Sequence, residues 1–431
     1  MIKFLKARLR RLGNANILSI LLNQRFKYSL IVSDSYFGWL GLDYEKFKAI
    51  LTKRSIYVIA LSSIKASSPE DSRGSCPQDL CRKLAEYPAL VESEKCRPDK
   101  TLAFSECIDK WASLITRSIA TISSNLKRIE PRGVVVVQGF EPNNASLRAA
   151  SFLLSIPCLA IENSSRPDRL IWDNIASYAC VNNLAGNFFF GYRHFVSDSE
   201  ALAYRDNFTT ETFCKKSEEH QSGSASRAQV KEAPETGYLL FLGQVFTDAA
   251  TISNLCDWQS PLALIEKVVD WCVAKKVGII IKLHPKEIKG RDTVTLKRYN
   301  NLTFRMINQM PLVQSKLFQC DSFIDSDNLL NTYDLIKSSA LVVTLSSQAG
   351  LEAAIFGKPV VVGGRSSYSG LGFTYDAPNP ALLEPQLDLA WSNKNSDHSL
   401  EASRFAAIYF EKYCISKTEE KLADLCVETF G

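Results

Sequence analysis

Histidine and methionine are scarce, at four and three in 431 residues, and none of the twelve cysteines belongs to a C-x-x-C pair. With no His/Cys cluster of ligand spacing, a zinc module and a small disulfide framework are both excluded. No window approaches the ~20 consecutive apolar residues that a bilayer-spanning helix needs, and the apolar stretch at 17–22 is too short for a secretory core. A strong charge of one sign is missing as well. The chain carries 51 Lys and Arg against 46 Asp and Glu, and residues 1–33 alone hold seven basic side chains and no acid. The rest is therefore close to neutral, which leaves no basic working face for a nucleic acid.

What is present is an ordinary folded composition, 46% hydrophobic and 23% charged, long enough for two to three domains of ~150 residues. Cysteines such as Cys158 and Cys272 stand in apolar segments, where a free thiol acts as a small buried hydrophobe. Reduced thiols predict a cytoplasmic chain. At the N-terminus Phe4, Leu5, Leu9 and Leu12 alternate with Lys3, Lys6, Arg8, Arg10 and Arg11. That pattern suits a short amphipathic helix, making residues 1–33 a peripheral contact to an anionic membrane surface; a solvated basic helix fits it equally.

Residues 215–237 are polar, Ser- and Gly-containing and nearly free of large apolar side chains, so they read as a linker or long loop. Before them, β-like runs at 29–33, 55–61, 133–137 and 156–161 are separated by helical patterns at 107–129 and 144–154. After them the alternation sharpens, with strands at 238–242, 278–283, 323–324, 340–345 and 359–362 and helices at 261–276, 328–338 and 347–356. Alternating short buried strands and helices predict an α/β fold of parallel sheets covered on both faces. The division is 1–214, 238–398 and a helical 399–431 returning to the first domain. Two Rossmann-like domains facing across a cleft are the expected architecture, with ligands beyond the carboxyl ends of the strands.

Two strand ends carry the strongest chemistry. The strand at 278–283 runs into His284-Pro285, with Lys282 and Lys286 beside it, a set that suits a phosphate. The strand at 340–345 runs into Ser346-Ser347-Gln348 and a helix ended by Gly357 and Pro359. Free N–H groups and the helix dipole favour an anion at such a helix start. Capping explains one serine of the pair. Glu352, in the first turns, could reach a ribose hydroxyl or be a solvated charge.

These residues carry a resemblance. K-L-H-P, followed some sixty residues later by V-T-L-S-S-Q-A-G-L-E-A-A-I-F-G-K-P-V-V-V, resembles the capsule polysaccharide synthesis and export group of bacterial Kdo (3-deoxy-D-manno-octulosonic acid) transferases. Residues 241–248, 368–376 and 161–168, the last preceded by Gln138-Gly139, agree with it in order. Ser164, Gln138 and Phe373 depart from its usual glycine, asparagine and leucine. The resemblance implies a GT-B architecture and a CMP-activated sugar on the second domain, bound by Gln244, Asp248, Lys282, His284, Ser346, Ser347, Gln348 and Glu352. It implies a lipid-linked or saccharide acceptor on the first domain, near Gln138, Asn163, Arg166 and Asp173. Glu162 is the first catalytic carboxylate to consider, ahead of Asp168 and Asp173, with His284 as the group that meets the leaving phosphate. An acid of this kind serves as nucleophile in a retaining enzyme and as base in an inverting one. Fixed donors replace a metal, so no metal or other cofactor is expected. The other readings are a transferase for a different CMP- or CDP-activated donor, of sialyltransferase or CDP-glycerol type, and a non-catalytic saccharide-binding component of an export complex.

Overall fold

Runs of valine, isoleucine and leucine bounded by glycine, proline or serine form short strands, and runs without polar alternation are buried on both faces. The computed structural model describes residues 26–64, 76–93, 103–174, 183–220, 237–291, 296 and 298–431. In chain order the strands are β1 (Tyr28–Val32), β2 (Ile56–Ala60), β3 (Gly133–Val137), β4 (Cys158–Asn163), β5 (Arg169–Asp173), β6 (Tyr238–Leu242), β7 (Gly278–Lys282), β8 (Ser322–Asp325), β9 (Leu341–Thr344), β10 (Val360–Val362), β11 (Tyr375–Asp376) and β12 (Ile415–Ser416). They build two sheets, one in each of two compact units. Unit 1 comprises Met1–Cys180 and Cys414–Gly431, and unit 2 comprises Val181–Tyr413.

These bounds differ from a division at 214. The helix Asp198–His220 belongs to unit 2 and runs on through the first residues of the polar 215–237 stretch. Residues 221–236 lie outside the described residues, as do residues 1–25, which hold most of the basic N-terminal pattern. Among the described residues no helix is long and apolar enough to cross a membrane.

The unit 1 sheet has the order β12-β5-β4-β3-β1-β2, parallel from β4 to β2 and antiparallel at β5 and β12. Alternate strand residues serve opposite faces. Leu30, Val32, Val135 and Val137 pack with Phe37, Phe47, Leu422 and Phe430, whereas Ile31, Val134 and Val136 pack with Ile115, Leu126 and Leu147. Gly133 is required at the start of β3, because a Cβ there would collide with the Phe430 ring. The helical pattern at 399–430 divides: Ser399–Ile408 and the π-helical turn Tyr409–Tyr413 that continues it lie in unit 2, and Glu419–Phe430 covers one face of the unit 1 sheet.

Glu419 ties that last helix down. Its carboxylate accepts the Asp43 N–H at 3.0 Å and the Lys46 ammonium at 2.8 Å. The Lys46 bond first, then the Asp43 N–H, hold its pKa down to about 2, from the ordinary 4.5. A folded-state pKa below the unfolded one contributes stability above pH 4.5 and loses it as pH falls toward 2. Glu419→Gln should cost about 1.5 kcal/mol at neutral pH and flatten the acid limb of the stability curve. Urea unfolding at neutral and acidic pH reads both, and an unchanged acid slope would rule the carboxylate out.

The unit 2 sheet is wholly parallel, in the order β11-β10-β9-β6-β7-β8. Counted from its own first strand this is 3-2-1-4-5-6, read from the other edge: the doubly wound dinucleotide order, whose direction reverses between β6 and β9. Its helices begin where the sequence supplies caps. Ser260 Oγ accepts the Ala263 N–H at 3.2 Å ahead of Pro261–Lys275. Asn331 caps Thr332–Ser338, so that helix starts later than the apolar pattern at 328 suggests. Gly357, at φ 79°, closes Gln348–Ile355.

Candidate functional site

At the unit 2 switch point the loops after β6 and β9 are joined by side chains. Gln244 follows Gly243, whose lack of a Cβ lets the loop pass close to the Lys282 carbonyl. The Gln244 amide oxygen accepts the Ser346 N–H at 2.8 Å, and its amide nitrogen donates to Ser346 Oγ at 3.2 Å. Ser347 Oγ caps the helix Gln348–Ile355 through the Ala349 N–H at 3.3 Å. Its carbonyl accepts the buried Tyr368 hydroxyl at 2.5 Å. The tandem serines are thus explained separately, one by the clamp to Gln244 and the other by the cap. Gly350 lets the helix sit against Tyr368, since a Cβ there would meet the Tyr368 hydroxyl and the Thr344 methyl. At the helix start Gln348 Oε1 is buried with no hydrogen-bond partner among the described residues.

His284 follows β7, on the next strand over. Its Nδ1 accepts the Lys286 N–H at 3.1 Å, so the neutral ring carries its proton on Nε2. Pro285, at φ −61°, sets the turn into the short helix Lys286–Lys289. Glu287, which the motif K-L-H-P-K stops just short of, holds the neighbouring loops together. It is 1% exposed and accepts the Phe246 N–H at 3.0 Å, the Thr303 N–H at 2.9 Å and the Thr303 hydroxyl at 2.6 Å. Burial pushes its pKa up and those hydrogen bonds oppose the rise. An acid in the first turn after H-P is the signal that could have found it.

Three donor-side expectations take a different form. Lys282 does not end at an open phosphate site: its ammonium is buried, 2.7 Å from Asp325 Oδ2, with Asn328 Oδ1 as a second acceptor. Asp248 caps the helix Ala249–Ser253 by accepting the Ala250 N–H at 3.0 Å. Glu352 is half-buried and accepts the Tyr333 hydroxyl at 2.8 Å. The sequence does hold one D-x-D run, Asp325-Ser326-Asp327, but Asp325 is occupied by Lys282 and by the Leu329 and Leu330 N–H groups.

These strand ends, from β4 to β11, fall within one family match: a family model described as "Capsule polysaccharide biosynthesis protein" matches residues 144–390, more than half of the chain. The chain belongs to this family. Two solved structures from Thermosulfurimonas dismutans, named as the KpsC beta Kdo 2,4 transferase and the KpsC beta Kdo 2,7 transferase, are each 18% identical to this capsule biosynthesis protein. The first match covers 70% of this chain and 89% of the other with a TM-score of 0.41, and the second covers 74% and 96% with 0.43. A UDP-GlcNAc 2-epimerase from Neisseria meningitidis is 12% identical over 93% of this chain and 98% of its own, with a TM-score of 0.27. No curated protein matches.

In unit 1 of this family member Glu162 lies inside β4 rather than after it, opposite Ile171 of β5, and it is 9% exposed. Gln138, at φ 61°, donates its N–H to the Ile161 carbonyl at 2.8 Å, so Gln138 and Glu162 stand on adjacent strand ends. Asp173 pairs with Ala160, toward the amino end of β4. Asp168 is 59% exposed in the β4–β5 turn and pairs with Arg166 and Arg169, each at 3.5 Å. Asn163 is a structural tie: its amide donates to the Trp39 carbonyl at 3.0 Å and accepts Lys417 Nζ at 3.0 Å. The sequence assigned no functional role to residues 34–130, yet a cavity of about 560 Å³ opens there beyond β1 and β2, lined by Ser33, Ser62, Arg117, Thr121 and Asn143. Ser33 Oγ donates to buried Asn144 at 2.5 Å, and Asn144 in turn donates to the Val137 carbonyl at 2.8 Å. No pattern in the local sequence pairs residues so far apart.

Proposed function

We propose that this capsule biosynthesis protein is a glycosyltransferase that moves a Kdo-type sugar from a CMP-activated donor to a lipid-linked or saccharide acceptor. The observation that carries the reading is the Gln244–Ser346 clamp at the unit 2 switch point, beside a capped helix start and the His284 turn. When the bond from the anomeric carbon to the phosphate breaks, negative charge grows on the phosphate. The Ser346 hydroxyl, the Gln348 N–H at the start of Gln348–Ile355 and His284 Nε2–H are donors of the type that stabilise it, held in place beforehand by Gln244, Thr344 and the Lys286 N–H. The motif resemblance at 282–285 and 343–362 supports CMP as the nucleotide and an ulosonic acid as the sugar.

On unit 1 Glu162 is the carboxylate proposed to act on the anomeric carbon or on the acceptor hydroxyl. Glu162→Gln is expected to lower turnover by at least about a hundredfold while leaving the Kd for CMP unchanged. Unchanged turnover would move the role to Asp168 or Asp173. The deciding experiment incubates the full chain with CMP-Kdo, CMP-N-acetylneuraminic acid, CDP-glycerol and UDP-GlcNAc and measures nucleotide release with and without a saccharide acceptor. Release from CMP-Kdo alone is the expected result; binding and release of none would return the protein to a non-catalytic role.

A further inference from the structure

The loop after β10, Gly363-Gly364-Arg365-Ser366-Ser367, continues along the strand-end rim beside Ser346. The Gly363 N–H donates to the Thr344 carbonyl at 2.8 Å and the Gly364 N–H to the Leu345 carbonyl at 2.7 Å. Gly364 is forced by space, since a Cβ would strike the Asn254 and Leu345 carbonyl oxygens. Beyond it lies a cavity of about 600 Å³, wholly within unit 2, lined among others by Asn187, Phe190, Cys256, Arg365, Ser367 and Asp376. Ser367 is 3% exposed, and its hydroxyl is buried with no hydrogen-bond partner among the described residues. Arg365 is exposed and its guanidinium has no ion pair among the described residues. Asp376, the one acid of the lining, accepts the Gly370 N–H at 2.9 Å and the Thr374 hydroxyl at 3.0 Å. The cavity therefore offers a cation without a counter-ion and a buried hydroxyl without a partner.

We propose that this cavity receives the acidic sugar of the donor, with Arg365 pairing its carboxylate and Ser367 bonding a sugar hydroxyl. The assignment rests on the CMP-ulosonate reading above and adds to it where the second negative charge goes. In an ulosonic acid linked to CMP, the anomeric carbon bears both the phosphate ester and the carboxylate. Two anions on one carbon need two donor sets close together, and the ends of neighbouring parallel strands are ~4.8 Å apart. The β9 end supplies the Ser346 set, and the adjacent β10 end supplies Arg365. An aldose donor would leave the Arg365 guanidinium with nothing to pair.

The test compares the Kd of CMP with those of CMP-Kdo and CMP-N-acetylneuraminic acid, on the full chain and on Arg365→Ala, Arg365→Lys and Ser367→Ala. Arg365→Ala should weaken whichever acidic donor binds by about tenfold or more and leave CMP unchanged, with Arg365→Lys in between. Ser367→Ala should weaken the same donor while its Tm stays level or rises, because removing a buried unpartnered hydroxyl relieves the free protein. Cys256, an exposed thiol on the lining, gives a second readout: the acidic donor should slow its alkylation by N-ethylmaleimide, mapped by mass spectrometry, and CMP alone should not. Equal losses for CMP and the acidic donors would place Arg365 on the nucleotide and overturn the assignment, as would no loss at all. Failure of the wild-type chain to bind CMP would overturn the donor reading itself, before any variant is made.

Discussion

His284→Ala should lower turnover on the CMP-activated donor by about a hundredfold or more, with the melting temperature unchanged. The residue is half-buried at the end of β7, and its Nδ1 is the acceptor for the Lys286 N–H. That bond sets the tautomer and directs the remaining N–H elsewhere. A donor held this way costs no reorganisation as charge develops, which is why losing one is expected to affect kcat more than the Kd for CMP. The measurement is single-turnover release of CMP under saturating donor, beside CMP binding and thermal unfolding of the same variant. Full turnover would remove His284 from the phosphate site and leave Ser346 and the helix start to serve alone.

The second large effect is on stability. Lys282→Met should destabilise the chain by about 3–5 kcal/mol, because it strands a buried carboxylate. Lys282 and Asp325 are 3% and 1% exposed, with Nζ 2.7 Å from Oδ2. Burial pushes the Lys282 pKa down and the Asp325 pair opposes it. Asp325 also receives the Leu329 and Leu330 N–H groups at 2.8 and 3.1 Å, so the pair anchors the loop after β8 to the end of β7. Lys282→Met with Asp325→Asn should recover part of the loss, since the side chain no longer carries a charge and its amide oxygen still accepts one of those two N–H groups. Urea unfolding of the single and double variants reads this, with CMP binding measured at low temperature. A single variant that keeps its stability and loses CMP would restore Lys282 to the phosphate.

The contrast between these two lysine- and histidine-bearing positions shows what a motif conveys. K-L-H-P marks a strand end correctly, with β7 stopping at Lys282, one residue before the end of the expected run at 278–283. Whether a side chain there faces a ligand or a neighbouring strand depends on which strand lies beside it. Asp325 is the register partner of Lys282 across β7 and β8, and nothing near residue 282 in the sequence announces that. Ser346 and Ser347 divide in the same way. The cap was legible from Ser347 and the helix that follows; the partner of Ser346 is Gln244, more than a hundred residues earlier.

The sequence by itself determined the strand and helix alternation, the helix cap at the Ser346-Ser347 pair, and the strand ends where chemistry collects. These follow from short-range hydrophobic periodicity and from backbone groups that need a partner within a turn. Only the tertiary structure decided the strand order that puts β6 beside β9, the burial of Lys282 against Asp325, and the Arg365 and Ser367 cavity beside the β9 loop. Those depend on pairings between segments far apart in the chain, where many registers satisfy the same local pattern and the packed core selects one.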